Sequence, residues 1–251
     1  MASLSKPYEK STSLINDFLH LIYPATCVSC ENELTGNEAH ICSICDADLT
    51  ETSYHLYEEE SPFDKLFWGR IKLNSTFALY SFTKGSVLQR LLFQFKYHHT
   101  QTIGNLFGER IGTRISSVSK YDGIEVLLPV PLHPKKEFVR GYNQSLALAQ
   151  GISKTSKITI AENALKRKHN NTTQTKKDRF DRWENVSSIF AVSQEIKHYK
   201  HVAIVDDVVT TGSTIEALVH AIRAVHPEVD ISVLTMAIAY RSVGVRQKVE
   251  G

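Results

Sequence analysis

Residues 202–214, VAIVDDVVTTGST, constrain the fold more than any other stretch of this sequence. Val202, Ala203, Ile204 and Val205 make a short, continuous, largely β-branched run, which predicts a central parallel strand covered on both faces. Asp206 and Asp207 follow at its carboxyl end, where open α/β sheets gather their ligands. Next come Thr210, Thr211, Gly212, Ser213 and Thr214, and then Ile215, Leu218, Val219 and Ile222 recur at helical spacing. The turn therefore opens onto a helix N-terminus, whose unpaired N–H groups and dipole favour an anion such as phosphate. The hydroxyls add donors, while Gly212 permits positive φ and close approach of an anion to the backbone. The plainer alternative is a Thr-capped helix after a strand that ends in two surface aspartates.

The rest of the chain alternates in the way such a strand requires. Strands are predicted over 76–82, 126–130, 158–160, 189–192 and 231–238. Between them, helical spacing joins Val87, Leu88, Leu91, Leu92 and Phe95, then Ile103, Leu106, Phe107 and Ile111, then Leu146, Ala147, Leu148 and Ile152. This order predicts an α/β fold, a mostly parallel sheet with helices on both faces. The acidic, Pro-containing run Glu58, Glu59, Glu60, Ser61 and Pro62 reads as a linker, which divides the chain into an N-terminal module, 1–60, and a larger domain, 61–251.

The module begins with an amphipathic helix over residues 13–23, whose polar face lacks the Lys/Arg enrichment of membrane-surface helices. It continues with Cys27-x2-Cys30 and Cys42-x2-Cys45, the only cysteines in the chain. Two such knuckles can place four thiolates tetrahedrally around one Zn²⁺; free thiols or disulfides are the alternatives. A four-sulfur shell is closed to substrate, so the metal would be structural and would supply folding energy to a small module. His40 is a conceivable replacement ligand. No apolar run approaches the ~18 residues of a membrane span and no signal-peptide pattern opens the chain, so a cytoplasmic protein without an integral membrane segment is expected. A net charge of +2 excludes whole-protein affinity for polyanions, leaving only local basic surfaces.

Two such surfaces stand out. Leu128-Pro129-Val130-Pro131 makes a rigid exit from a strand and leads to Arg140-Gly141-Tyr142-Asn143-Gln144, cationic donors and a flexible backbone ahead of a helix. The alternative there is a surface turn in which Asn143 merely caps a helix. The longest stretch without apolar periodicity, 166–178, carries Lys166, Arg167, Lys168, Gln174, Lys176 and Lys177, with Arg179 and Arg182 just beyond. A basic loop of that length suits closure over an anionic leaving group, a nucleic-acid backbone, or a simple solvated charge run. Tyr97, His98 and His99 are candidate stacking groups for bases.

The segment 202–214 resembles the phosphoribosyl pyrophosphate (PRPP) signature of type I phosphoribosyltransferases. The resemblance implies that Asp206 and Asp207 hold the ribose hydroxyls and that Thr210, Thr211, Gly212, Ser213 and Thr214 bind the 5′-phosphate. It also implies that Arg140 and Gly141 hold pyrophosphate, that PRPP is bound with Mg²⁺, and that Arg167, Lys168, Gln174, Lys176 and Lys177 lie in a flexible loop over the leaving group. The whole order resembles the ComF family: CxxC knuckles preceded by Tyr23-Pro24, then VPLHP, RGYNQ, the spaced Arg167, Gln174, Arg182, Asn185 and Phe190, and last the signature. ComF proteins are zinc-ribbon, phosphoribosyltransferase-like proteins linked to natural competence, which implies single-stranded DNA or competence proteins as partners. The basic loop departs from the family at His169 and Asn171. Thr210 stands where 6-oxopurine transferases commonly carry a carboxylate base, so the resemblance does not extend to their acceptor. It leaves open a transferase or a catalytically silent PRPP-sensing or nucleic-acid-binding module.

Overall fold

The computed structural model describes residues 24–36, 38–98, 100–168 and 189–239. The helix expected over 13–23 lies outside them, as do His99, His169, Asn171, Gln174, Lys176, Lys177, Arg179, Arg182 and Asn185. The chain divides into two compact units between Asp48 and Leu49, each taken by itself below. The division falls before the linker expected at Glu58–Pro62, because the following segment is recruited by the sheet: Glu51 bridges Tyr80 antiparallel, and Thr52 N–H donates to Leu79 O at 3.1 Å. A free sheet edge leaves backbone groups unpaired, and these residues cover it.

In the first unit, the two knuckles are drawn together by backbone bonds. Thr26 bridges Glu33, Cys27 N–H donates to Asn32 O at 2.7 Å, and Val28 N–H donates to His40 O at 3.0 Å. The second knuckle ends in a short helix, α1 (Ser43–Ala47), capped by Cys42.

The second unit runs through α2 (Pro62–Lys65), β1 (Ser75–Ser81), α3 (Val87–Tyr97), α4 (Gln101–Ile115), β2 (Val126–Pro129), α5 (Pro134–Arg140), α6 (Gln144–Ser156), β3 (Thr159–Ile160), β4 (Leu165–Arg167), β5 (Phe190–Val192), β6 (His201–Val209), α7 (Ser213–Val225) and β7 (Asp230–Ile238). Five strands form one sheet in the order β1-β7-β6-β2-β3, and every pairing is parallel. Because alternate strand residues point to opposite faces, Val202 and Ile204 of β6 join the cluster that holds Leu218, Val219 and Ile222 of α7. Ala203 and Val205 point the other way and are equally buried. Burial on both sides explains why β6 reads as a continuous apolar run instead of an alternating one.

Two strand expectations change. β5 does not join the parallel sheet; it pairs antiparallel with β4 in a separate two-stranded sheet, through Leu165↔Val192 and Arg167↔Phe190. Lys166 and Arg167 therefore lie in a strand and not in the loop. The cause is that Leu165 and Phe190 are apolar anchors in the α7 side of the core, so the basic stretch leaves and re-enters through a hairpin-like pairing. Second, β6 continues to Val209, so Asp206 and Asp207 lie within the strand's last turns of pleat and not beyond it. Among the described residues no helix is long and apolar enough to cross a membrane.

The tightest packing in this unit fixes α6, the helix that later supplies a site residue. α4 and α6 cross at glycines: a Cβ on Gly108 would lie 2.2 Å from Leu148 O and 2.8 Å from Gly151 Cα. The backbones touch, and no side chain intervenes to yield. Gly108→Ala is therefore expected to lower the unfolding free energy by about 1–3 kcal/mol through overpacking, measurable as a shifted midpoint in urea without a change of slope.

Candidate functional site

β6 is the centre of the sheet and the place where its connections diverge. β2 leads outward to β3 on one side, and β6 leads to β7 on the other, which makes the β2/β6 boundary a topological switch point. The β2 pairing ends at Pro129↔Val205, with one more bond from Val130 N–H to Val205 O at 2.9 Å. From Asp206 onward, β6 keeps only β7 beside it, through Asp206↔Thr235 to Val209↔Ile238. A crevice flanked by α6 opens on the vacated side.

The two aspartates stand on this stretch of β6. Ser145, in the first turn of α6, donates from Oγ to Asp206 Oδ1 at 3.2 Å, and Asp207 N–H donates to the same oxygen at 2.9 Å. Burial, reinforced by the charge of Asp207, pushes the Asp206 carboxyl up to about 7; those two donors and Lys96 pull in the opposite direction. Asp207 Oδ1 accepts from Val208 N–H at 2.7 Å. Its other oxygen, Oδ2, faces Lys96 Nζ at 2.8 Å, a contact of charge without an aligned hydrogen bond.

Arg140 and Gly141 sit at one rim. Arg140 ends α5, where only a basic turn was expected, and Gly141 is its C-cap at φ 75°. Arg140 Nη1 donates to Gln144 Oε1 at 2.9 Å, and its guanidinium lies 5.7 Å from the Tyr97 ring centroid. Asn143 does cap α6, its Oδ1 accepting from Ser145 N–H at 3.0 Å, while its Nδ2 donates to Val130 O at 3.1 Å. Capping and site-building are the same act here, because the cap tethers α6 to the end of β2 and delivers Ser145 to Asp206.

The hydroxyl-rich turn lies at the end of β6. Thr210, Thr211, Gly212, Ser213 and Thr214, with Asp206, Val208, Val209 and Ile215, line a small cavity of about 50 Å³. Gly212 is the N-cap of α7 at φ 76° and offers no capping side chain, while Ser213 N–H, the first of the helix, donates to Thr211 Oγ1 at 3.4 Å. A Cβ at Gly212 would meet Phe67 Cε1 at 2.5 Å, a second reason for glycine. Thr211 and Ser213 hydroxyls are 3.0 Å apart. Arg70 braces the turn from outside, donating to Thr211 O at 2.8 Å and pairing with Glu216.

Arg167 is placed elsewhere, its guanidinium 5.7 Å from the Phe190 ring centroid on the small sheet, and Lys168 N–H donates to Ile189 O at 2.8 Å. Among the described residues, neither has a hydrogen bond to the carboxylate pair or to the turn. Lys96, Ser145, Phe67 and Arg70 went unnoticed in the sequence. Lys96 and Ser145 lay on helices whose apolar faces drew attention to packing alone, and Phe67 and Arg70 come from a segment with no periodicity.

In the first unit, Cys27, Cys30, Cys42 and Cys45 bring their sulfurs within 4.8 Å of one another. Cys30 and Cys42 Sγ are 3.7 Å apart. A tetrahedron of ~2.3 Å metal–sulfur bonds has edges of about 3.8 Å, so the spacing is that of four ligands around one metal ion. All four are free thiols, which excludes the disulfide alternative in this structure. Backbone N–H groups of Cys42, Cys30 and Ser29 bring the Cys27 thiol down to about 6 against the opposing effect of burial, whereas burial pushes the Cys45 thiol up to about 12, so the metal-holding capacity rests on the sulfur positions. The cluster is thus able to hold a metal; His40 contributes a backbone carbonyl and is not among the clustered ligands.

Residues 143–249 match the phosphoribosyl transferase domain. The second unit is therefore a phosphoribosyltransferase-type domain, in agreement with its parallel sheet and with the carboxylate pair beside the turn. Over more of the chain, the protein is similar to competence protein F of Haemophilus influenzae, 28% identical over 212 residues that cover 82% of this chain and 87% of that protein. It is also similar to competence protein ComFC of Bacillus subtilis, 24% identical with 75% and 74% covered, and to the DNA utilization protein YhgH of Escherichia coli, 25% identical with 78% and 89% covered. With the four-cysteine cluster ahead of the transferase-type domain in the sequence, these similarities make the chain ComF-like.

Proposed function

We propose that the chain binds PRPP together with Mg²⁺ and that this binding serves the handling of single-stranded DNA in natural competence. The observation that carries the proposal is the pairing of Asp206 and Asp207 with the uncapped, hydroxyl-rich start of α7 along one open strand flank. A pentose 5-phosphate needs two such features: acceptors for a vicinal diol and donors for a terminal phosphate. Asp206 and Asp207 supply the first, and Thr210, Thr211, Gly212, Ser213 and Thr214 supply the second. Arg140, at the rim, is the cation for the pyrophosphate. With both carboxylates taken by the diol, Mg²⁺ would be held chiefly by phosphate oxygens of PRPP and would neutralise charge on the leaving group.

If the site turns over, the bond from C1 of the ribose to the pyrophosphate oxygen breaks and C1 joins a nucleophilic atom of the acceptor. Positive charge grows on the ribose and negative charge on pyrophosphate, which Asp206, Asp207 and Arg140 oppose electrostatically. No side chain of the protein needs to act as nucleophile. Thr210, exposed at the site, cannot serve as a carboxylate base for a 6-oxopurine.

The second reading, a PRPP-responsive binder of single-stranded nucleic acid, is favoured by one surface. Phe93 and Tyr97 are 55% and 51% exposed on α3, their ring centroids 5.1 Å apart, with His98 5.6 Å from Phe93. Arg140 lies against Tyr97, and Lys135 and Lys136 are exposed on the same helix as Arg140. Stacking rings bordered by cations suit unpaired bases on a phosphate backbone. The relatives named for competence and DNA utilization support the same partner. The four-cysteine cluster is read as a structural Zn²⁺ site.

Calorimetry with PRPP and magnesium chloride is expected to give a one-site isotherm that Asp206→Ala with Asp207→Ala abolishes; no heat with the wild-type chain would defeat both readings of the pocket. Metal analysis is expected to find one zinc per chain, with Cys45→Ser losing it and with chelation lowering thermal stability of the first unit; a zinc-free protein of equal stability would count against the assignment. Single-stranded oligonucleotide retention should weaken with salt and fall by roughly 5- to 150-fold on Phe93→Ala plus Tyr97→Ala, if the pair stacks one base worth ~1–3 kcal/mol. Retention that ignores both salt and the aromatic pair would remove the nucleic-acid reading.

A further inference from the structure

A larger cavity, of about 740 Å³, lies within the second unit, and neither the carboxylate pair nor the hydroxyl-rich turn lines it. That volume is of ligand-binding size. Phe67, Trp68, Ile71 and Leu73 give the cavity an apolar side, and Glu58, Glu59 and Glu60 give it an acidic one. Its walls are tied to the body of the unit. Asp64 accepts from Ser61 N–H, Ser61 Oγ and Thr76 Oγ1, each at 2.7 Å, and faces Lys120 Nζ at 3.4 Å. Farther along, Arg223 Nη2 donates to Lys72 O at 2.6 Å, and Asn74 N–H donates to Ile231 O at 2.7 Å. The lining segment is thereby fastened to β1, α7 and β7, so the cavity is preorganised.

Several lining groups already have partners. Asp64 and Lys120 pair with each other, and Phe67 is buried against Gly212. Glu58, Glu59 and Glu60 differ: all three are exposed, and among the described residues none has an ion pair or a hydrogen bond. Trp68 is 57% exposed, with Lys65 Nζ 5.4 Å from its ring centroid. An acidic run is ordinarily a solvated surface, and a lone exposed apolar side chain needs no explanation. Here the two border one cavity, where three carboxylates face Lys72 as the lining cation left unpaired among the described residues. A surface of this sign repels nucleic acid and anionic lipid. It favours a ligand that brings cations beside an apolar group, for contact with the carboxylates and the indole together.

We propose that this cavity docks a protein partner through a short basic segment in which one large apolar side chain is flanked by Arg or Lys. The apolar side chain packs on Trp68, Ile71 and Leu73, with the indole as the anchor that interfaces commonly use. The flanking cations meet Glu58, Glu59 and Glu60. Apolar burial supplies affinity, while opposite charge supplies register and speed of encounter. The inference stands apart from what the strand-end pocket binds. It also assigns two kinds of partner to two surfaces by sign of charge: Lys135, Lys136 and Arg140 border the exposed rings of α3 and suit a polyanion, whereas Glu58, Glu59 and Glu60 border Trp68 and suit a polycation.

The test is fluorescence anisotropy of a labelled peptide, Arg-Arg-Leu-Arg-Arg, titrated with the full chain. Control peptides carry Ser in place of Leu, or Glu in place of every Arg. Saturable, salt-weakened binding of the first peptide is expected, with the Ser peptide about 10-fold weaker and the Glu peptide unbound. Glu58→Gln combined with Glu59→Gln and Glu60→Gln is expected to lower affinity by about 3- to 150-fold, the range for three exposed ion pairs, and Trp68→Ala by about 5-fold or more. The triple variant should keep its unfolding midpoint, since the three side chains have no bond to lose among the described residues. Absence of saturable binding, equal binding of the Ser peptide, or unchanged affinity in the triple variant would each overturn the inference. Loss of oligonucleotide retention in the triple variant would assign the cavity to nucleic acid instead. A dimer seen by sedimentation and dissolved by the same substitutions would assign it to a second copy of the chain, and either result would overturn the inference as well.

Discussion

The site depends on β2 stopping before β6 does. Parallel neighbours of equal length would bury the flank of β6 to its end, and two adjacent carboxylates there would have no access to solvent or ligand. Instead, the chain leaves the sheet after Val130, through Pro131 and a short proline-started helix, and β6 runs on with one side vacant. Polar groups at such a flank must find partners or water. Asp206 finds Ser145 and its neighbour's N–H, and Asp207 finds Val208 N–H and the charge of Lys96. The helices that line the vacancy are held by backbone-level contacts: the Gly108–Gly151 crossing sets α6, and the Tyr142 and Gln144 bonds to Phe95 O set α3. Packing far from the carboxylates thus decides which groups reach them.

The phosphate-type turn has a separate support. Phe67, 1% exposed, fills the space that any side chain at residue 212 would need, while Arg70 bonds Thr211 O and pairs with Glu216 in the first turn of α7. Glu216 near the helix N-terminus is favourable to the dipole, and Arg70 offsets its negative charge. The left-handed Gly212 is consequently held by a ring on one side and a guanidinium on the other. Such double support is what a preorganised anion site requires, because a loop that must order itself on binding loses affinity to that ordering.

The strand–carboxylate–turn unit was legible in the sequence because each of its parts has a local cause: β-branched residues for a buried strand, small hydroxylated residues for a turn, and glycine for positive φ. The four cysteines were legible for the same reason, since spacing within a knuckle is a local property. What escaped is long-range. Lys96 meets Asp207, Arg70 meets Thr211, and Phe67 meets Gly212 across more than a hundred residues of chain, and none carries a pattern of its own. The fate of residues 189–192 escaped for a subtler cause. A short apolar run reports burial, but it does not report which sheet supplies the partner, and Leu165 captured this strand for a second, antiparallel one. Likewise, the linker-like acidic run gave no sign that residues before it would cover the edge of β1.

Charge balance narrows what this pocket can do. Taken alone, Asp206 and Asp207 would repel a highly anionic ligand, and burial, with the charge of Asp207 second to it, already raises the Asp206 carboxyl to about 7. Lys96 cancels part of that charge in the empty state, and Arg140 stands at the rim with its own partners. Lys96 is on α3 and Arg140 on α5, the two helices that also carry the exposed Phe93, Tyr97 and Phe138. Lys96 lies in the last turn of α3, next to Tyr97. Pocket occupancy and the aromatic surface consequently share one structural element, so a binder and a transferase would draw on the same geometry and differ only in whether an acceptor reaches C1.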